Sequence, residues 1–549
     1  MRYWRLTIFP LAAVWLWPFA AGPSASVEPL LAGTLMAAVA LALVGSAMPV
    51  IHVLRTGLGM SLVVVLALAG WALWPSLWLG VLAAGMVVVS GVRVALAGRQ
   101  GGEPVAHWMA LAWLAAGLLS VVFAGLQYTG LTQSLAPWVN QASTGRVFAN
   151  LRQPNLFATL ESLSLAALLY LAGRPRRPSP GWWPVSAAVL LALGNAMSSS
   201  RTGLVQILLL CGLAWCWRQA MQPPQWRVLW VAVLAYGVAS VLLTWQPPAG
   251  GPVGGPVGLT RLANESIDSH RFVLWRNVLQ LIGEHPWLGW GWGELDYAHY
   301  VTRYDGPRFG PILDNAHNLP LHLAVELGLP MALAFCAAVA WAMVRARPWR
   351  ETDPARQMAW AVLAVLGLHS LLEYPLWYAP FQLALGLCLG LLWPAKGHAP
   401  RANESVGAVV HWPWRLVALG VCVLCALVAW DYRRVSQIYL PPEARAPEYQ
   451  MNTLDQARGS WFFQDQARFA ELTLTPLTPE NARWTHRTAK ALLHYSPEPR
   501  VIEKVIESAV MLGLHDTAQV HMARYRAAFP DAHARWERRS VVPLLPGRP

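Results

Sequence analysis

Four short polar segments carry the arginine, histidine and carboxylate side chains that could do chemistry in this chain. They lie at residues 146–155, 198–203, 268–276 continued by 314–318, and 369–378. Arginine keeps its charge and offers a planar set of N–H donors, so two or three arginines can hold a diphosphate and stabilise it as it leaves. A neutral histidine such as His317 can accept a proton from an attacking hydroxyl, an effect typically worth about 10²–10⁴-fold in rate.

The segments that must position these residues are apolar and long enough to span a membrane. The chain has 549 residues, 56% hydrophobic and 13% charged, whereas soluble domains carry about 25% charged residues. This composition excludes an ordinary soluble enzyme and predicts an all-α, polytopic integral membrane protein. Apolar runs near the required length of about 20 residues predict thirteen transmembrane helices, at residues 6–21, 30–50, 57–73, 76–95, 107–126, 153–173, 182–198, 202–219, 227–245, 318–344, 357–374, 376–394 and 412–431.

The distribution of basic residues predicts the orientation, because they concentrate in short cytoplasmic loops. With the N-terminus inside, the short outer loops hold only Arg146, Arg152 and Arg201, and the inner segments hold far more. All four polar segments then lie on the outer face, near the depth of the lipid headgroups. A ligand with an anionic head and an apolar tail fits this position. The residues therefore predict glycosyl transfer from a lipid diphosphate.

Several of these residues also have a purely structural interpretation. Arg152 and Arg201 could pair with lipid phosphates or with helix C-terminal carbonyls, as many interfacial arginines do. His369 and Glu373 form a plausible acid–base or orienting pair, but an ordinary structural hydrogen bond explains them equally well. The residue types alone leave both interpretations open.

The histidine of the third segment has the same ambiguity. His317 precedes a predicted helix and could cap it, although Asp314 or Asn315 is the better cap by residue type. His322 and Glu326 are one helical turn apart, so we expect them to satisfy each other inside the bundle.

Two long segments lie on the predicted outer face, the loop at residues 246–317 and the tail at residues 432–549. In the tail, apolar spacing over residues 501–510 predicts soluble helices that resemble tetratricopeptide units. We expect a transmembrane glycosyltransferase domain at residues 1–431, including the loop, and a helical C-terminal domain at residues 432–549. Helical spacing of apolar residues in the loop predicts an amphipathic helix at the membrane surface, at Phe272, Trp275, Val278, Leu279 and Ile282.

The sequence favours neither a metal centre nor a nucleic-acid site. Asp296, His299 and Asp305 are not spaced as metal ligands, and no concentration of carboxylates suits a catalytic divalent ion. All six cysteines fall in apolar segments, where they behave as small buried hydrophobes. The net charge of +13 comes from arginines dispersed between apolar blocks, which indicates topology and anionic lipid rather than DNA or RNA. We expect no cofactor, no metal and no nucleic-acid partner.

The four segments, in this order, resemble motifs of the bacterial O-antigen ligase and polymerase (Wzy/WaaL-like) superfamily, and within it the PglL-type protein O-oligosaccharyltransferases. Residues 146–155 are similar to the R-V-F-x-N-x-x-Q-P-N signature of that branch. Residues 198–326 resemble the shared ligase core, and HSLLEYPLWY at residues 369–378 matches the C-terminal motif of the PglL branch. The chain departs from the family at Phe157, where a histidine often stands after Q-P-N.

The resemblance implies transfer of a preassembled oligosaccharide from undecaprenyl diphosphate to a serine or threonine hydroxyl of a periplasmic acceptor protein, such as a pilin. It implies a metal-independent enzyme of the bacterial inner membrane, in contact with membrane lipids, with its active site and C-terminal domain on the periplasmic side. His317 is then the expected catalytic base, with Glu373 and His369 as further catalytic candidates. The expected diphosphate ligands are Arg201, Arg271 and Arg152. The expected substrate-binding residues are Gln153, Asn155, Asn318 and Tyr374.

Two other functions fit part of the sequence. An O-antigen ligase would transfer the glycan to lipid A-core, but HSLLEYPLWY and the long tail speak against it, since such ligases usually end soon after the last span. A transporter or binding protein for lipid-linked oligosaccharide would use the arginines without chemistry. Replacement of His317 separates that alternative from the enzyme, because only an enzyme loses turnover while it keeps donor binding.

Overall fold

The protein is almost entirely helical. Its computed structural model describes residues 5–19, 27–44, 48–49, 75–100, 104–142, 146–174, 181–245, 266–310, 312–394, 409–410 and 412–539. Within these ranges, extended structure is limited to a short antiparallel pairing of Met48–Pro49 with Val409–Val410. The all-α class predicted from the composition is confirmed.

The helices are numbered here in chain order over the described residues. The apolar part and the loop contain α1 (Ile8–Leu16), α2 (Val27–Val44), α3 (Pro75–Gln100), α4 (Val105–Tyr128), α5 (Pro154–Ala172), α6 (Trp183–Met197), α7 (Arg201–Cys216), α8 (Pro223–Leu243), α9 (Ser266–Glu284), α10 (Leu295–Val301), α11 (Leu319–Leu327), α12 (Leu329–Ala346), α13 (Pro354–Ser370), α14 (Ala379–Leu392) and α15 (Trp412–Ser436). The tail contains α16 (Thr453–Arg458), α17 (Gln464–Leu474), α18 (Ala482–Leu492), α19 (Pro499–Met511), α20 (His515–Ala528) and α21 (Pro530–Arg539).

Several of these helices can cross a membrane, which confirms a multi-pass membrane protein. The predicted span at residues 318–344 is divided at Gly328 into α11 and α12, and the predicted span at residues 57–73 lies outside the described residues. The number of thirteen spans stays a prediction. Among the described residues, seven segments are long and apolar enough to span, namely Val27–Val44, Leu79–Arg99, Val105–Tyr128, Pro154–Ala172, Pro223–Leu243, Leu329–Arg350 and Trp414–Tyr439.

Helix α5 is central to the membrane part. Pro154 occupies its first turn, where the missing N–H costs no hydrogen bond and the fixed φ suits a helix start. The helix packs against α4, α6, α7, α8 and α13. Of the residues in its apolar stretch, 89% are buried within the protein. The residues that precede and begin α5 are therefore held by the surrounding helices.

Helices α3 and α14 touch through their backbones at glycine. A Cβ atom at Gly91 would lie 2.8 Å from the carbonyl oxygen of Leu383, and one at Gly390 would lie 2.6 Å from that of Val92. A Cβ atom at Gly386 would come closer still to the backbone of α3. Small residues spaced by four are typical of close helix packing in membranes, and this contact requires them.

The chain folds as two compact units. The first comprises Met1–Gly70, Gly80–Asn264 and Met343–Leu427, and the second comprises Trp71–Leu79, Glu265–Ala342 and Val428–Pro549. The described part of the loop, from residue 266, therefore belongs to the same unit as the tail. The predicted division into 1–431 and 432–549, which assigned the loop to the transmembrane domain, stays a prediction.

Within the second unit, loop and tail share hydrogen bonds and a core. The Tyr300 hydroxyl lies 2.9 Å from His521 Nδ1, and His494 Nδ1 lies 2.7 Å from Glu294 Oε2. In the tail, α18 packs on α19 and α19 on α20, with the apolar side chains of residues 501–510 at the centre of their core. The helical periodicity predicted for residues 501–510 is confirmed, and the likeness to tetratricopeptide units stays a prediction.

Candidate active site

Three of the four polar segments meet at one carboxylate in the first unit. Glu373 accepts hydrogen bonds from Gln153 Nε2 at 3.4 Å and from Asn155 Nδ2 at 3.1 Å. The amide oxygen of Asn155 in turn accepts the hydroxyl of Ser200 at 2.7 Å. We call Gln153, Asn155, Ser200 and Glu373 the carboxylate cluster. Ser200 was not assigned a role from the sequence, although its segment was singled out.

The residues of the carboxylate cluster lie at or next to helix ends. Gln153 stands at the N-cap position of α5 with extended backbone, and Ser200 caps α7 by accepting the N–H of Gly203 at 3.2 Å. Glu373 follows the C-terminus of α13, where its N–H donates to the carbonyl of His369 at 2.8 Å. The N-termini of α5 and α7 carry partial positive charge, which favours a carboxylate beside them. Of these helix ends, only the serine-rich turn before Arg201 has a residue type that favours an N-cap.

His369 lies behind the cluster. Its ring is fully buried and its Nδ1 lies 2.8 Å from the hydroxyl oxygen of Thr159. The same hydroxyl donates to the carbonyl of Asn155 and accepts Gln206 Nε2, both at 2.8 Å. Because His369 has no exposed surface, its position suits the support of α5 and α13 better than contact with a substrate.

The arginines of the first unit differ in their surroundings. Burial lowers the pKa of Arg146 from its usual value, and the charge of Glu373 opposes this effect. The sequence placed Arg146 in a polar segment without assigning it a role, and this charge interaction makes it part of the site. Burial also lowers the pKa of Arg152, against the charge of Glu28. Arg201, the first residue of α7, is partly exposed.

Arg152 borders a cleft rich in aromatic side chains. The cleft is lined, among others, by Trp15, Trp17, Trp377 and Tyr378. Tyr374, beside Glu373, stacks on the ring of Tyr378 with 6.0 Å between ring centroids and meets Trp377 edge-on at 6.2 Å. Arg152 directly precedes Gln153 of the carboxylate cluster in the chain, and Tyr374 directly follows Glu373.

Gln127 holds the loop that leads to α5, and the sequence analysis missed it. Its amide oxygen accepts the N–H groups of Phe148 and Ala149 at 3.0 and 2.9 Å. Its amide nitrogen donates to the carbonyls of Ala149 and Asn140, both at 2.8 Å. Ala149 is fully buried in the left-handed region, with φ of 51°, which a residue other than glycine rarely adopts. The signal was a lone glutamine near the end of an apolar run.

In the second unit, His317 lies in a constrained turn. Its φ is 50°, in the left-handed region, and such strain is characteristic of functional sites. The N–H of His317 donates to Asn315 Oδ1 at 2.9 Å. Asn318 caps α11 by accepting the N–H of Leu321 at 3.0 Å. The expectation that Asp314 or Asn315 caps this helix is wrong, because Asn318 directly precedes the first helical residue.

Helix α9 supports this turn. Trp275 Nε1 donates to the carbonyl of Ala316, next to His317, at 3.2 Å. Val278 and Ile282 are buried in a core shared with α11. The helix predicted over these residues is confirmed, and its position at the membrane surface stays a prediction. Arg271, near the start of α9, is partly exposed.

Within α11, His322 Nε2 lies 3.6 Å from Glu326 Oε2, and both side chains are buried. The predicted pairing of these residues is confirmed. Among the described residues, no group of three histidine, cysteine or acidic side chains is arranged to hold a metal ion.

Taken with the spans, these features define a multi-pass helical membrane protein whose polar motifs lie at helix ends. Comparison with protein families matches three descriptions in chain order. These are Protein glycosylation ligase over residues 147–172, O-Antigen ligase over residues 186–336, and Virulence factor membrane-bound polymerase, C-terminal, over residues 357–541. The resemblance to PglL-type O-oligosaccharyltransferases of the O-antigen ligase superfamily is confirmed.

Two curated relatives come from Acinetobacter baylyi. The chain is 28% identical over 329 residues to a General O-oligosaccharyltransferase, and this aligned region covers 58% of this chain and 55% of the relative. It is 24% identical over 254 residues to a ComP-specific O-oligosaccharyltransferase, and this aligned region covers 45% of this chain and 44% of the relative. The chain thus spans about half the length of the curated relatives it matches.

Each of the three matched regions contributes to the carboxylate cluster. Gln153 and Asn155 lie in the first region, Ser200 in the second and Glu373 in the third. The cluster is therefore where the three family descriptions meet in space.

Proposed function

We propose that this protein is a PglL-type protein O-oligosaccharyltransferase. It transfers a preassembled oligosaccharide en bloc from undecaprenyl diphosphate to serine or threonine hydroxyls of periplasmic acceptor proteins, such as a pilin. The observation that carries the proposal is the carboxylate cluster, to which all three matched regions contribute. The names of both relatives support the same reaction.

In the proposed reaction, the oxygen of the acceptor hydroxyl forms a bond to the anomeric carbon of the donor sugar. The bond from that carbon to the diphosphate oxygen breaks, and its electron pair leaves with the diphosphate. The hydroxyl proton moves to the imidazole of His317. A single displacement of this kind inverts the anomeric carbon, and it needs no metal ion.

Arginine side chains stabilise the leaving diphosphate as its charge grows. Arg201, Arg271 and Arg152 have this role in the proposal, because a guanidinium can donate two hydrogen bonds to one phosphate. Arg146 supports the site as the charge partner of Glu373.

The remaining residues orient the reactants. Glu373, which already accepts two side-chain amides, acts as an acceptor for a substrate hydroxyl or amide. Gln153, Asn155 and Tyr374 fix its position and border the substrate. His369 acts through Thr159 as a positioning residue. Asn318 acts in the second unit by capping α11 below His317.

The proposed setting is the bacterial inner membrane, crossed thirteen times, with the reaction on the periplasmic face. The scarcity of arginine in the short outer loops supports this orientation. The tail, with its successive helix pairs, serves in this proposal as a tetratricopeptide-like surface for acceptor proteins.

Expression in a bacterial host that supplies lipid-linked glycan and lacks enzymes of its own for this transfer tests the proposal. Mass spectrometry of periplasmic proteins should find glycan on serine or threonine with the wild-type chain and none with His317→Asn. Binding of purified lipid-linked oligosaccharide should persist in that variant, and loss of transfer with retained binding separates the enzyme from a transporter or binding protein. Unmodified periplasmic protein with the wild-type chain, or full modification with His317→Asn, would contradict the proposal.

A second candidate is an O-antigen ligase, which the match over residues 186–336 favours. The match over residues 147–172 to a Protein glycosylation ligase favours a protein acceptor instead. A host that also makes lipid A-core decides between them, because glycan then appears on lipid A-core or on protein.

A further inference from the structure

Two large apolar side chains protrude from the turn that follows α9. Trp287 is 76% exposed and Leu288 is 86% exposed. Neighbouring residues of this turn are packed, since Trp290 donates its indole N–H to the carbonyl of Leu281 at 3.0 Å. The exposure of Trp287 and Leu288 is therefore a property of a structured turn.

Backbone hydrogen bonds fix this turn to the junction between α11 and α12. The N–H groups of Trp290 and Gly291 donate to the carbonyls of Val325 and Glu326 at 2.9 and 3.0 Å. In the opposite direction, the N–H of Leu329 donates to the carbonyl of Pro286 at 2.8 Å. The turn and the junction are therefore joined by backbone hydrogen bonds in both directions.

Glycine permits this close approach. Gly289 and Gly328 have φ of 68° and 85°, in the left-handed region that favours glycine. A Cβ atom at Gly328 would collide with the carbonyl group of Trp287. The main chain of the turn thus lies directly on the main chain of the junction, without side chains between them.

The junction is the point at which a membrane span begins. Leu329–Arg350 is long and apolar enough to cross a bilayer, and only 6% of the residues in its apolar stretch are buried by protein. Met331 and Leu333 in its first two turns are 55% and 65% exposed. Exposed apolar side chains of a membrane span face lipid. The main chain of Trp287 and Leu288 lies against Gly328, directly before this span.

We propose that Trp287 and Leu288 enter the boundary between lipid headgroups and acyl chains, and that the bilayer is the partner of this turn. Tryptophan is enriched at that depth, where its ring is buried and its N–H stays hydrated. The anchor sets the height of α11 above the membrane. With nine residues at about 1.5 Å each, α11 holds His317 within roughly 15 Å of the anchored end.

Depth-dependent quenching in vesicles tests the anchor on the full-length chain. A fluorescent noncanonical amino acid is introduced separately at positions 288, 333 and 514, so that the native tryptophans and cysteines remain. Position 333 lies in α12, and Leu514 is an exposed tail residue. The vesicles contain phosphatidylcholine and phosphatidylglycerol with a nitroxide on the headgroup or at the middle of an acyl chain.

We expect the headgroup nitroxide to quench position 288 at least threefold more than position 514, and the acyl-chain nitroxide to quench position 333 most. Equal quenching at positions 288 and 514, with position 333 quenched, would overturn the proposal and indicate a protein partner for the turn. Absence of quenching at position 333 would overturn it as well, because the adjacent span would not lie in lipid. Should position 288 not accept the probe, position 287 serves with the same expectations.

Discussion

Asn155 donates its side-chain amide to the carboxylate of Glu373 at 3.1 Å and accepts the hydroxyl of Ser200 at 2.7 Å. One amide therefore joins segments that stand 218 and 45 residues away in sequence. Because both ends of the amide are used, its orientation is defined, and Glu373 receives a donor that a rotated amide could not supply.

The first prediction concerns this carboxylate. Glu373→Gln replaces one acceptor oxygen by an N–H₂ group that faces the amide donors, so at least one hydrogen bond of the cluster is lost. We expect glycan transfer to fall at least tenfold and the free energy of unfolding to fall by about 1–3 kcal/mol. Quantitative glycopeptide analysis and thermal unfolding of the purified variant measure these changes.

Glu351→Gln is the matched control, since Glu351 pairs with Arg356 outside the cluster. We expect the transfer activity of Glu351→Gln to stay within about twofold of wild type, because the substitution removes only the partly exposed ion pair with Arg356. Wild-type transfer by Glu373→Gln would contradict a role for the cluster.

The second prediction separates strain from chemistry at His317. Asparagine and glycine tolerate a φ of 50° better than alanine. We expect His317→Asn and His317→Gly to match or exceed the wild-type thermal stability, and His317→Ala to be the least stable of the three. All three variants should lose transfer activity at least 100-fold, because none can accept the hydroxyl proton. Activity that followed stability across the three variants would point to a structural role.

The third prediction concerns Gln127. Gln127→Ala leaves the N–H groups of Phe148 and Ala149 and two carbonyls without this partner. Each buried polar group left unsatisfied costs about 1–3 kcal/mol, so the loop before α5 should loosen. Hydrogen exchange of residues 146–152 should accelerate, and transfer should fall although Gln127 contacts no cluster residue in the described hydrogen bonds.

Gln127→Glu removes only part of these hydrogen bonds. A carboxylate still accepts the two N–H groups but donates to neither carbonyl. We expect an intermediate exchange rate and intermediate activity. Unchanged exchange in both variants would mean that other contacts hold the loop.

The fourth prediction is a pH dependence in the second unit. The hydrogen bond with Glu294 raises the pKa of His494 above its usual value, in spite of partial burial. A raised pKa in the folded state gives stability that is complete below the unfolded value of about 6.5. This stability is lost as the pH rises through the folded pKa. Burial raises the pKa of Asp296 to about 7, which acts in the same direction.

The variant His494→Gln isolates the histidine contribution. We expect the loss of melting temperature caused by this substitution to be larger at pH 6 than at pH 8.5. Burial lowers the pKa of His521 to about 4, but His521 is present in both proteins, so its contribution to the pH dependence cancels in the difference between wild type and variant. An equal loss at both pH values would show that the contact with Glu294 does not depend on charge.

The sequence predicted most helices because long apolar runs leave few alternatives in a membrane. It also predicted the segments that carry Gln153, Asn155 and Glu373, although nothing in their spacing indicates that they touch. Contacts across 218 residues depend on which helices pack around α5, and apolar periodicity does not encode that choice in a helix buried on all sides.

Two errors had readable signals. The division between α11 and α12 follows from Gly328 and Pro330, which together are a strong helix breaker. The cap at Asn318 follows from Pro320, since proline favours the first turn of a helix. The role of Gln127 had no comparable signal, because its four bonds go to backbone groups whose positions are set by the folded loop.

The glycine contact between α3 and α14 limits what mutational data can say about function. Gly91, Gly386 and Gly390 admit no side chain, yet none of them belongs to the carboxylate cluster. A saturation screen scored by glycan output would rank these positions with the reactive residues. Abundance measured alongside output would distinguish them, since substitutions there deplete the protein and changes at a reacting group leave its quantity intact.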